Sequence, residues 1–269
     1  MKIAVTGATG FIGRHVLSVL LREKSEVYAI TRHPEKLANL DKSINVIKLD
    51  IGDSYANSFE KIGSPDVLIH LAWDGLPNYK SLYHFETELP KQYMFLKRII
   101  DDGLTSLFVA GTCFEYGMQT GALSPDMETR PNNPYGYAKD ALHKQLEYLK
   151  AIKPFNLTWA RLFYMYGEGQ PTTSLYPKLL HAVKCGDKVF NMSGGEQLRD
   201  YLPVEVVARQ IVSLALTKCN VGNVNICSGK PISVREQVEK WLLENNCKIE
   251  LNLGYYPYPD YEPMEFWGV

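Results

Sequence analysis

The stretch Lys2-Ile3-Ala4-Val5-Thr6-Gly7-Ala8-Thr9-Gly10-Phe11-Ile12-Gly13 decides how the rest of the chain is read. A short β-prone run enters a segment with glycine at every third position, and an apolar helical pattern follows. A strand turning sharply into a helix aims the helix's unpaired N–H groups at the turn, and glycines let an anionic group approach the backbone closely. Gly7, Gly10 and Gly13 therefore predict a pyrophosphate-binding turn, with Thr9, Phe11 and Ile12 completing the loop. The spacing departs from G-x-G-x-x-G, and a glycine triplet alone is often only a structural turn. Its place on the first strand of an alternating chain carries the weight.

Outward from this turn, short apolar runs alternate with longer segments of helical period. Strands are expected at Lys2–Thr6, Glu26–Thr31, Asn45–Asp50, Asp66–Leu71, Ser106–Gly111 and Leu157–Phe163, with helices near Phe11–Arg22, Ser54–Ile62, Pro90–Asp102 and Tyr135–Lys150. Beyond Gly167 the signals thin to helices near Leu175–Cys185, Pro203–Thr217 and Val234–Asn246, the last opened by a Ser233/Glu236 capping box. The Tyr255–Tyr261 tail, with two prolines, should be an extended wrap. The fold class is α/β: a Rossmann-type doubly wound parallel sheet over residues 1–165, and a small C-terminal α/β substrate-binding lobe over 166–269, with chain crossings between them.

The 269 residues are 45% apolar and 22% charged with a net charge of -1, which excludes disorder, collagen and coiled coil. No block of five like charges argues for nucleic acid or a polybasic membrane contact. Five scattered cysteines without metal spacing fit a reducing compartment and give no metal site. With no signal-peptide pattern and no membrane-length apolar run, a cytoplasmic protein is expected. The 17 tyrosines are the compositional oddity, and suit either packing or a ring-lined pocket.

An acidic residue about 20 positions past the glycine loop would hold the ribose hydroxyls of NAD. The second strand ends instead in Thr31-Arg32-His33. A guanidinium there can fork onto a 2′-phosphate, so NADP(H) is favoured and NAD(H) stays open. Arg32 stacked on adenine or left solvated is the alternative. Asp50 and Ile51 should flank the adenine, and Leu71 and Ala72 the pyrophosphate and ribose.

Tyr135 and Lys139, at i and i+4, share one helix face. An ammonium beside a phenol biases it toward phenolate, so Tyr135 could exchange a proton with a carbonyl or alcohol oxygen. The spacing alone proves little, because Tyr93 and Lys97 repeat it. Context separates them: Tyr135 follows the loop Pro131-Asn132-Asn133-Pro134, and Thr112 ends a strand upstream, where Rossmann-type ligands bind. Read alone, Thr112 is a strand-end cap. Taken together, Thr112, Tyr135 and Lys139 form a candidate catalytic triad, which leaves Tyr93 and Lys97 to surface or packing.

These residues resemble the extended short-chain dehydrogenase/reductase family, the nucleotide-sugar epimerases, dehydratases and reductases. The markers are the glycine loop, His70-Leu71-Ala72, Thr112…Tyr116-Gly117, Pro134 to Lys139, Arg161 to Gly167 and Gly194 to Tyr201. The resemblance implies a nucleotide-sugar substrate, a homodimer through helices Pro90–Asp102 and Tyr135–Lys150, and Phe163 at the cofactor beside Tyr135 and Lys139. It implies substrate contacts from Trp73, Thr112, Cys113, Phe114, Tyr164, Tyr166, Arg199 and Tyr201, with Arg199 clamping the diphosphate. Arg199 paired with Asp200 or Glu205 is the alternative. Tyr164 stands where the family usually carries Asn. Dehydratases of the family carry Asp-Glu directly after the catalytic Thr, where this chain has Cys113-Phe114, so dehydration is not expected. The GDP-fucose synthase branch uses a Cys two residues past its Ser and a His farther on, where this chain has Phe114 and Ser174. What remains is hydride transfer at a sugar carbon. The fuller motif string resembles the bacterial dTDP-4-keto-6-deoxyhexose 4-reductases, the dTDP-fucose- and dTDP-6-deoxytalose-forming enzymes of surface-polysaccharide synthesis. A 4-epimerase with retained NAD and a non-catalytic NADP(H) sensor are the other classes.

Overall fold

A computed structural model describes residues 1–38, 41–53, 57–217 and 219–269. Seven strands form one parallel sheet in the order Gly222–Ile226, Asn156–Leu162, Ser106–Thr112, Val67–His70, Lys2–Thr6, Glu26–Thr31 and Ile44–Lys48. The order reverses between Lys2–Thr6 and Val67–His70, and doubly wound folds bind ligands beyond the carboxyl ends of strands at such a reversal. The glycine loop leaves from one of these two strands and Leu71-Ala72 from the other.

Strands covered on both faces need apolar residues at successive positions, each pointing the opposite way from the last. Ile3 and Val5 pack with Val16, Leu17 and Leu20 of helix Phe11–Leu20, while Ala4 faces the other layer with Leu96, Ile99 and Leu142. Each such side chain, wholly buried, contributes roughly 1.5–3 kcal/mol of transfer free energy. Helices Leu89–Asp101 and Pro134–Ile152 cover this second face. Pro134 takes the first helical turn, where its missing N–H costs nothing, and Asn133 caps the helix by accepting from Gly136 N at 2.9 Å. Tyr135 is thereby fixed on the opening turn.

The expected strands and helices occupy their places with ends shifted by one or two residues in most cases. The exception is Ser54–Ile62: helix is found only over Ser58–Lys61, and residues 54–56 lie outside those described. Two elements beyond residue 165 join the large sheet. Helix Val204–Leu216 packs Val207, Ala208 and Ile211 against the Phe11–Leu20 layer, and Gly222–Ile226 pairs with Asn156–Leu162 as the edge strand. The rest of the C-terminal part has its own core of Leu179, Phe190, Val234, Val238, Trp241 and Leu242. The chain then returns, and Phe266–Gly268 pairs with Gly121–Leu123. Among the described residues no helix is long and apolar enough to cross a membrane.

Candidate active site

Backbone geometry makes the dinucleotide cleft. Gly7 has φ +68, and a Cβ there would sit 2.9 Å from Ala72 N and Leu71 C; a Cβ on Gly13 would sit 2.2 Å from Gly7 O. Only glycine leaves these approaches open, so the loop fits a pyrophosphate held by main-chain N–H groups. The cleft, about 210 Å³, brings together Gly7, Thr9, Gly10, Thr31, Arg32, Asp50, Ile51, Leu71 and Ala72. Thr9 and Thr31 hydroxyls meet at 3.2 Å. Phe11, Ile12 and Gly13 stand outside its wall: the Phe11 ring meets His15 edge-on, Ile12 packs on the core, and Gly13 is buried under the turn.

Behind the cleft runs a buried polar network that the sequence reading did not include. Gln92 Nε2 donates to Ala72 O at 3.1 Å and to Glu88 Oε1 at 2.5 Å, which leaves its Oε1 to accept from His70 Nε2 at 2.7 Å. His70 Nδ1 must then accept the Thr6 hydroxyl proton at 2.8 Å. Burial pushes the His70 pKa down to about 3, so the ring is neutral and pins the edge of the cleft. The helical spacing of Glu88 and Gln92 was the only signal for this arrangement.

Thr112, Tyr135 and Lys139 come together on the second face. The Thr112 hydroxyl lies near enough to the Tyr135 phenol to oppose the rise in its pKa. Lys139 Nζ donates to Ala110 O at 2.8 Å and lies 4.0 Å from the centre of the Trp73 ring. Burial drives the Tyr135 phenol far above its ordinary value, with Tyr79 adding to the rise and Thr112 opposing it. Lys139, also buried, is drawn down to about 7. The expectation that Lys139 pulls the phenol toward phenolate is therefore corrected: burial is the largest influence on Tyr135, and Lys139 is not among the groups that shift it. In this dry slot desolvation dominates both groups, and each shifts toward its neutral form.

Rings surround Tyr135. Its centroid lies 5.2 Å from His84, 5.6 Å from Tyr79, 6.0 Å from Trp73 and 6.2 Å from Phe114. His84 Nε2 donates to Asn78 O at 2.9 Å, so its Nδ1 accepts from Trp73 Nε1 at 3.1 Å. Trp73 lines the cleft at the glycine loop, where it covers Lys139.

A second cavity, of about 1030 Å³, lies between the lobe and the tail. Tyr164, Arg199 and Tyr201 line it together with Tyr258, Tyr261 and Glu262. Gln197 belongs to this wall, and its Nε2 is buried without a hydrogen-bond partner. Tyr261 reaches Tyr79 at 5.9 Å and Phe114 at 6.1 Å, so a run of tilted and edge-on ring contacts joins the cavity to Tyr135. Tyr166 differs from the expectation. It shares a strand face with Tyr164 but lies one pleat farther on, under helix Val234–Glu244, where it packs 5.0 Å from Trp241. Cys113 is buried with Tyr116, Leu123 and Phe266, its thiol pushed up by burial, and is outside the cavity wall. Phe163 joins the same cluster, 6.1 Å from Phe266, and is absent from the cleft wall.

Arg199, almost wholly buried, bonds neither Asp200 nor Glu205. Its Nη2 donates to Glu262 Oε2 at 2.9 Å and to Pro263 O at 2.9 Å, and its Nη1 to Met264 O at 3.2 Å. Asp200 instead accepts from Ser228 N and Gly229 N at 2.6 and 2.8 Å. The tail therefore holds the guanidinium expected to clamp a diphosphate. Sequence offered no cue for Glu262, which lies 63 residues away.

The model of the NAD dependent epimerase/dehydratase family matches residues 3–227. A dTDP-6-deoxy-L-talose 4-dehydrogenase (NAD(+)) of Aggregatibacter actinomycetemcomitans is 33% identical over 274 aligned positions, covering all of both chains. A GDP-6-deoxy-D-talose 4-dehydrogenase of the same organism is 28% identical over 87% of this chain and 76% of its own. Among solved structures, MoeE5 in complex with UDP-glucose and NAD is similar with a TM-score of 0.82 at 26% identity, covering 100% of this chain and 89% of that one. With the family model spanning the glycine turn, Thr112, Tyr135 and Lys139, the chain belongs to the NAD dependent epimerase/dehydratase family and is an enzyme of oxidoreductase type.

Proposed function

We propose that the protein is an NAD(H)-dependent oxidoreductase that reduces the 4-keto group of a nucleotide-activated 6-deoxyhexose, with a dTDP-linked sugar as the substrate class. The observation that carries this reading is the burial of Tyr135 beside Thr112, one helical turn before Lys139 and joined by ring contacts to a cavity of sugar-nucleotide size. A nicotinamide dinucleotide, its pyrophosphate held at the glycine loop, would supply a hydride for C4 when bound. Tyr135, kept protonated by burial, donates its proton to the developing C4 alkoxide. Thr112 orients the carbonyl oxygen between the two hydroxyls. Lys139, near its own midpoint at neutral pH, anchors the ribose side of the site and exchanges protons there. Cys113 and Phe114 supply neither acid nor base beside Thr112, which favours simple reduction over elimination. The names of the two Aggregatibacter relatives support a 6-deoxyhexose oxidised or reduced at C4. The exposed Met94, Tyr137 and Tyr148 on helices Leu89–Asp101 and Pro134–Ile152 support a homodimer through that face.

The test is NADH absorbance with dTDP-, GDP- and UDP-linked 4-keto-6-deoxyhexoses, for wild type and Tyr135→Phe. Wild type should consume NADH stoichiometrically with a dTDP sugar. Tyr135→Phe should lose at least about a hundredfold in kcat, the scale of one general acid, while its NADH affinity stays within a few-fold. Interconversion of sugars without NADH consumption would mark an epimerase and overturn the reading.

A further inference from the structure

Strand Glu26–Thr31 ends in a cation, Arg32, where an acidic residue would hold a ribose diol. That cation is engaged. Its Nη1 and Nη2 fork onto Asp74 Oδ2 and Oδ1 at 2.9 and 2.8 Å, and Asp50 Oδ2 stands 3.9 Å from Nη1. Asp74 reaches across the cleft from the loop after strand Val67–His70. Its main-chain N–H donates to Glu88 Oε1 at 3.0 Å, and Glu88 is itself fully buried and bonded to Gln92 and Lys91. The loop is therefore tied to the start of helix Leu89–Asp101. The cleft wall sets Arg32 against three carboxylates, Asp50, Asp74 and Glu88, with Lys91 behind them 3.3 Å from Asp74 Oδ2.

A 2′-phosphate would bring roughly two further negative charges into this wall. To use Arg32 it would have to break a bidentate pair and then lie beside the released carboxylate. A 2′-hydroxyl brings a donor, and the half-exposed carboxylates of Asp74 and Asp50 are acceptors. We propose that Asp74 sets the dinucleotide preference, selecting NAD(H) by withholding Arg32 from a 2′-phosphate and offering its own carboxylate to the ribose. This rests on the reading of the cleft as a dinucleotide site. Asp74 does the work usually given to an acid at the end of the second strand, from a loop 42 residues past Arg32.

The test is equilibrium binding of NADH and NADPH, by calorimetry, to wild type, Asp74→Ala, Asp74→Asn and the Asp74→Ala/Arg32→Ala double variant. Wild type should bind NADH more tightly. Asp74→Ala should move the ratio of the two Kd values toward NADPH by about tenfold or more, the scale of a freed charge-assisted fork. Removing Arg32 as well should cancel that gain. Asp74→Asn, which keeps the loop's shape, should move the ratio in the same direction and guards against misfolding of the alanine variant. An unchanged ratio, equal weakening of both dinucleotides, or an NADPH gain that survives loss of Arg32 would overturn the inference alone. Wild type that binds neither dinucleotide would overturn the proposed function along with it.

Discussion

Lys139 shows how far a residue's chemistry departs from what its spacing suggests. The Tyr135–Lys139 interval was plain in the sequence, but the water excluded around it was not, and burial pushes the two pKa values in opposite directions. The Lys139 shift also makes stability depend on pH. Its folded pKa, about 7, lies below the ordinary 10.5, so between those values the unfolded chain binds more protons than the folded one. The cost of burying its charge is complete below pH 7 and disappears as pH rises toward 10.5. His70 and His143, held down to about 3 and 4, act in a lower, acidic window. Unfolding in urea should show stability rising from neutral pH toward pH 10 by on the order of a few kcal/mol in wild type, and a flatter profile for Lys139→Met. A wild-type profile flat over this window would mean that Lys139 is solvated.

At the scale of elements, the strand Ser106–Thr112 and the helical turn Cys113–Tyr116 form one device. Thr112 caps the turn, its Oγ1 accepting from Phe114 N at 3.3 Å while Glu115 Oε1 accepts from Thr112 N at 2.8 Å. Glu115 is wholly buried, paired with Arg161 Nε at 2.7 Å and reached by Trp159 Nε1 at 3.0 Å. The Thr112 oxygen is thus aimed by a buried ion pair. Glu115→Ala should cost about 3–5 kcal/mol in denaturant unfolding, since it strands the Arg161 charge in the core. A loss under about 1 kcal/mol would show that water reaches Arg161. The signal for this device was present. Thr112-Cys113-Phe114-Glu115 has the same T/S-x-x-E spacing that identified Ser233 and Glu236; Thr112 alone reads as a strand-end cap, and its box with Glu115 is the part that the sequence analysis lacks.

Across the whole molecule, the parts of the fold that repeat a local pattern were legible, and those assembled from distant segments were not. Alternating apolar runs gave the six strands up to Leu162, and the glycine turn gave the cleft. The seventh strand, Gly222–Ile226, carries two asparagines that weaken its pattern. One of them, Asn225, accepts from Tyr116 OH at 2.7 Å and donates to Leu123 O at 2.7 Å, a role visible only after folding. The candidate site divides in the same way. Thr112, Tyr135 and Lys139 could be read from motif and context, whereas Asp74 against Arg32, Glu262 against Arg199, and Tyr79 with Tyr261 over Tyr135 depend on chain returns of 42, 63 and 182 residues. In the proposed reaction cleft, rings and cavity serve a single reduction, and isotope transfer tests it most directly. With NADH deuterated on the transferable face and a dTDP-4-keto-6-deoxyhexose, mass and NMR analysis of the product should find one deuterium at sugar C4. A converted sugar that carries no deuterium at C4 would contradict the account.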